Sequence, residues 1–157
     1  RGVTVAAGEY HSNTANLSYS LGQQRPVSGT VSLRAGSLHN GRRRGANYNG
    51  RLAFAPQFAV EPGLSFNWVD LPVGGFSTHI ASARFIVTPT PRMIISSLVQ
   101  YTASARLLSS SVRLRWEYVP GSELFVVFSD GRSSAPDATR GLLNRAVVVK
   151  VTRLIRF

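Results

Sequence analysis

The stretch VVVKVTRLIRF, Val147 to Phe157, decides the fold class. Val147, Val149, Val151, Ile155 and Phe157 share one parity. Residues two apart in a strand point to the same face, so that face is apolar out to the last residue. Lys150, Thr152 and Arg156 fall on the other face. Arg153 is the exception on the apolar side, and near a membrane edge its long side chain reaches the headgroups. A soluble edge strand of this kind invites aggregation. In the wall of a transmembrane barrel the same face meets lipid.

The same period of two runs through the chain, and the helical period is nearly absent. Leu17, Tyr19 and Leu21 oppose Asn16, Ser18 and Ser20. Val27, Val31 and Leu33 oppose Ser28, Thr30, Ser32 and Arg34. Tyr48, Leu52 and Phe54 oppose Asn47, Asn49 and Arg51. Phe58, Val60, Leu64, Phe66 and Trp68 oppose Glu61, Ser65 and Asn67. Val112, Leu114, Trp116 and Tyr118 oppose Arg113, Arg115 and Glu117. Less regular strands are expected over Thr78–Val87, Met93–Tyr101 and Leu124–Phe128. A short one over Val3–Ala7 and the final strand bring the total to about ten.

The connections alternate in kind. Gln23–Pro26, Ala55–Gln57, Pro89–Arg92 and Pro120–Ser122 carry the residues of tight turns. Glu9–Thr14, Ser37–Arg44, Asp70–Gly75, Thr102–Ser110 and Ser129–Asn144 are longer and polar, and are expected to be loops. Short turns at one end and long loops at the other suit an outer-membrane barrel with both termini in the periplasm. Strands of roughly 9–11 residues suit a tilted crossing. On this topology Phe54, Phe58, Tyr118 and Phe157 mark the periplasmic rim. Tyr48, Trp68, Tyr101 and Phe128 mark the outer one. Aromatic girdles are expected at both interfaces, although large aromatics also fill the core of a soluble sandwich. The terminal Phe157, with Val149, Val151 and Ile155 before it, is also similar to the signal read by the barrel-assembly machinery.

The 157 residues suit one domain over 1–157, with a formal net charge of +11 and Lys150 as the only lysine. By parity Arg34, Arg51, Arg84, Arg113, Arg115 and Lys150 oppose the apolar face, as do Glu61 and Glu117. An arginine on the lipid face at mid-membrane costs about 2–4 kcal/mol, so this polar face should line the lumen. There the residues either brace the wall or attract anions. Arg42, Arg43 and Arg44 are expected in a surface loop. They are either solvated or in contact with lipopolysaccharide phosphates. Nucleic-acid binding wants aromatics interleaved with arginines on one face. Here they mostly lie on opposite faces, so no nucleic-acid partner is expected.

Catalytic chemistry is not marked. His11, His39 and His79 are far apart and lack metal-ligand spacing. No serine is singled out as a nucleophile, and no phosphate-binding glycine loop precedes a helix. Neither enzyme activity nor a metal or other cofactor is expected.

The runs LSYSLGQQRPVSGTVSLRAG, FAVEPGLSFNWVDLPVGGF, SSSVRLRWEYVPGSELFVVFSDGR and NRAVVVKVTRLIRF also resemble the C-terminal barrel of a bacterial outer-membrane family of uncharacterised function. Its long members carry an N-terminal module similar to family-9 carbohydrate-binding modules. The resemblance implies that this chain is the C-terminal portion of a larger barrel. The expectation is thus an all-β antiparallel transmembrane β-barrel, about ten of whose strands lie here. It would be a bacterial outer-membrane channel or transporter for polar or anionic solutes, saccharides among the candidates. A non-conducting anchor in a larger complex and a soluble basic polyanion-binding β-protein are the rivals. Expected partners are outer-membrane lipids and lipopolysaccharide, the assembly machinery, and an N-terminal part of the protein or other chains completing the barrel.

Overall fold

A computed structural model describes residues 12–22, 25–38, 41–72, 74–135 and 141–155. These form nine strands: β1 Thr14–Leu21, β2 Val27–Leu38, β3 Gly41–Ala55, β4 Phe58–Leu71, β5 Gly74–Thr90, β6 Met93–Thr102, β7 Leu107–Val119, β8 Ser122–Ser133 and β9 Leu142–Thr152. Each pairs antiparallel with the next in a single meander ordered β1 to β9. The strand expected over Val3–Ala7 lies outside the described residues, as do Phe157, His11 and His39.

Three of the four expected tight turns fall where the sequence places them, and residues 23–24 of the fourth, Gln23–Pro26, lie outside the described residues. Pro56–Gln57, Pro91–Arg92 and Pro120–Gly121 each join two strands through two residues. Gly121 has φ +78°, a conformation that suits glycine in a turn of this kind. Among the described residues the expected long loops are shortened, and residues 9–11, 39–40, 73 and 136–140 of them lie outside the described residues. Of the stretches 37–44, 70–75, 102–110 and 129–144, most residues extend the neighbouring strands, and Arg42, Arg43 and Arg44 lie within β3. Strands run from 8 to 17 residues. A 17-residue strand such as β5 reaches about 56 Å at about 3.3 Å per residue. At a tilt of about 45° it stands about 40 Å tall, against an apolar band of about 25 Å. The sheet therefore outruns any apolar slab, and its polar ends continue to pair through the backbone.

The last strand is displaced relative to expectation. It begins at Leu142 and stops at Thr152, whose partner is Glu123 near the start of β8. Past that point the ladder has nothing left to pair with. Leu154 turns aside, and its amide donates to Ser122 Oγ at 3.1 Å. Arg153 and Ile155 thus lie beyond the strand.

There is almost no protein core. Ala59 and Val69 are the buried apolar residues among those described. The accessible surface is 11690 Å² for a chain of 17.0 kDa. A compact globule of that mass exposes about 7,700 Å². Leu17, Tyr19, Phe54, Val147, Val149 and Val151 are each more than half exposed. A single sheet with this much bare apolar surface is unstable in water and needs an apolar medium on one side.

Candidate functional site

The pairing register sorts the side chains into two faces. One row of directly paired residues is Tyr19, Val31, Tyr48, Leu64, Ala81, Tyr101 and Leu108. Another is Val60, Phe85, Ser97, Val112, Phe128 and Val147. These rows make up the apolar face. Phe54, Phe58, Trp68, Trp116, Tyr118, Val149 and Val151 share it. Phe54 and Phe58 approach to 5.7 Å between ring centres, and Trp116 and Tyr118 to 6.2 Å. Tyr48 and Phe128 fall mid-strand, because β3 and β8 extend further than the sequence suggests.

The opposite face carries Arg34, Arg51, Arg84, Arg113, Arg115, Lys150, Glu61 and Glu117 in one continuous register. Arg34 Nε donates to Asn16 Oδ1 at 2.7 Å. Ser20 and Thr30 hydroxyls meet at 2.9 Å, and Ser65 Oγ donates to Asn47 Oδ1 at 2.7 Å. Glu61 is shared by two arginines, with Arg51 at 3.2 Å and Arg84 at 3.5 Å. Arg115 pairs with Glu123, an acidic residue whose place on this face follows from its opposition to Glu117. Glu117 instead accepts from the Gly121 amide at 2.9 Å and holds the turn. Arg113 and Lys150 have no ion-pair partner among the described residues. Arg113 borders a hollow of about 280 Å³ with Arg84, Ser96 and Ser111. The face is not wholly polar. Ile80, Ile86, Leu98 and Val127 also lie on it, which is why the alternation of β5, β6 and β8 is weak in the sequence.

The apolar face holds charges at the end away from the tight turns, and these were not singled out in the sequence as a group. Asp130 is 8% exposed and takes Arg132 at 2.6 Å and Arg145 at 3.0 Å. Arg42 lies opposite Asp70, and Arg44 opposite Trp68. His79 sits on the same face, 5.4 Å from Phe66 and 5.7 Å from Trp68, with Nε2 buried and without a hydrogen-bond partner. Their parity could have found them once the strands were known to run that far.

An antiparallel meander with one bare apolar face and one hydrogen-bonded polar face is a sheet of the transmembrane-barrel type. No family model and no curated protein matches the chain. A solved structure of the NanC porin superposes on 92% of this chain and 79% of its own, with a TM-score of 0.52 and 9% sequence identity. The likeness is one of fold.

Proposed function

We propose that the chain forms most of the wall of a bacterial outer-membrane channel for polar or anionic solutes. The tight turns would face the periplasm, and β9 would end there. The observation that carries the reading is the polar face. Its acids are already engaged with arginines or a turn amide, while Arg113 and Lys150 remain unpaired and Arg34 bonds only a neutral amide. Uncompensated positive charge lining a pore draws anions. The porin likeness in fold supports the setting.

Closure of such a wall is constrained by direction. β1 and β9 are both odd members of the meander and run the same way. Joining them directly would make a parallel pair, and two copies about one axis would also meet in parallel. Bacterial single-chain barrels are antiparallel and even-stranded. An odd number of further strands must therefore bridge β1 and β9, and the Val3–Ala7 strand read from the sequence is the nearest candidate.

Arg113→Glu tests the function. In an intact pore it should move the reversal potential under a salt gradient toward cations. An unchanged potential would count against a solute-facing polar face. Ile80, Ile86, Leu98 and Val127 on that face favour a second reading, in which side chains fill the interior and the barrel anchors a partner. A protein that inserts and never conducts would support it.

A further inference from the structure

Arginines stand on the apolar face in two places, and the two differ. Arg132 and Arg145 are both neutralised by Asp130. Arg42 and Arg44 make no ion pair or hydrogen bond among the described residues, and both side chains are exposed. A guanidinium on a lipid-facing wall is tolerated only where it finds a counter-charge or reaches the headgroup layer. Asp130 supplies the first pair's counter-charge. Asp70 faces Arg42 across the β3–β4 ladder without an ion-pair contact, so one carboxylate stands beside two arginines and Arg44 is left to find its counter-charge outside the protein.

Beside Arg44 lies a hollow of about 1010 Å³. Its lining is drawn mainly from the apolar face. Small residues, among them Ala35 and Ala46, leave the depression, and Leu17, Leu33 and Trp68 rise around it. Ala35 pairs directly with Arg44, and Arg44 with Trp68, so the cation sits in the same cross-strand row as the hollow's floor and wall. Ligand pockets typically span roughly 300–1,000 Å³, so there is room for a substantial apolar group. Asp70 borders the same end, so two arginines stand there against one carboxylate, and an apolar trough with a net positive end has the outline of an anionic amphiphile.

We propose that this trough binds a phosphorylated glycolipid of the outer leaflet. Arg42 and Arg44 take its phosphate, because guanidinium forks match phosphate oxygens. One acyl chain lies along the trough over Ala35 and Ala46, against Trp68. This site rests on the outer-membrane reading above, since it requires the apolar face to meet lipid.

The test uses folded, detergent-purified protein and native mass spectrometry. The probe is a bis-phosphorylated diglucosamine lipid, compared with its dephosphorylated form and with inorganic phosphate as competitor. Arg42→Gln with Arg44→Gln should cut lipid retention at least tenfold. Ala35→Phe, which fills the trough and leaves the charges, should do the same. Arg92→Gln, at the tight-turn end, should leave retention unchanged. The dephosphorylated probe should bind as poorly to the native protein as the native probe does to the double variant. Equal retention by all variants overturns the site. Loss with the arginine variant but not with Ala35→Phe, or full displacement by inorganic phosphate, reduces it to a phosphate contact and overturns the trough. Insertion into vesicles is measured in parallel. Proteins that insert yet retain lipid indiscriminately refute this inference alone, whereas a native chain that never inserts refutes the outer-membrane reading with it.

Discussion

Glu61→Gln is the most informative single change on the polar face. Glu61 is the carboxylate between Arg51 and Arg84, and its side chain is 28% exposed, so a passing ion can feel it. Both arginines are about half exposed. Exposed ion pairs contribute about 0.2–1 kcal/mol each, so the substitution should leave the sheet folded. Its electrical effect should be larger. An ion about 5 Å away in water interacts with one unit charge by about 0.8 kcal/mol, cut to about 0.5 kcal/mol by the roughly 10 Å screening length at 0.1 M salt. That is about a twofold gain in anion occupancy and a similar loss for cations. The anion-to-cation permeability ratio should therefore rise about fivefold. At 1 M salt the screening length is about 3 Å, and the change should shrink below about twofold. Reversal potentials in a planar bilayer at both salt concentrations measure this. A shift toward cations, or no shift at 0.1 M in a pore that still conducts, would refute the placement of Glu61 beside the solute path.

Other expectations concern the wall itself. Asp130→Asn leaves Arg132 and Arg145 without a counter-charge on the apolar face, so the inserted protein should unfold at a lower temperature in heated gel-shift assays. Adding Arg132→Gln should recover part of the loss. Gly50→Val should lower folding yield only modestly, because a Cβ at Gly50 meets the hydroxyl and outer ring of Tyr48, whose side chain can swing aside, although that ring also lies 2.9 Å from a Cβ position at Gly29. Tyr48→Ala in the same background should restore folding. The chain has no cysteine, so engineered pairs are unambiguous. Leu17→Cys with Val149→Cys should not cross-link in membranes, since β1 and β9 would have to meet in parallel, whereas Val5→Cys should cross-link to cysteine at position 147, 149 or 151.

The faces of the regularly alternating strands were legible from the sequence, but the ends of the strands were not. Parity placed Arg51, Glu61 and Arg84 on one side without any knowledge of register, because a period of two needs only local order. The register then brought those three into contact, which no spacing in the sequence announces. Strand ends failed for a different reason. Hydropathy reports where the apolar slab stops, whereas pairing continues as long as a neighbouring backbone is present. Arg42 to Arg44 and Asp130 to Ser133 are polar yet fully paired. Val151 to Ile155 shows the converse. The apolar pattern continues, but β8 begins at Ser122 and the ladder ends at Thr152. Glu123 was missed because the expected strand began one residue after it. Ile80 and Ile86 blurred β5 by placing apolar side chains on the polar face.

Single-channel recording from the intact, detergent-purified protein in a planar bilayer under a salt gradient tests the central claim most directly. Stable open currents with an anion-biased reversal potential are the predicted result. A protein shown to be inserted but electrically silent, or one that conducts with cation preference, would contradict it.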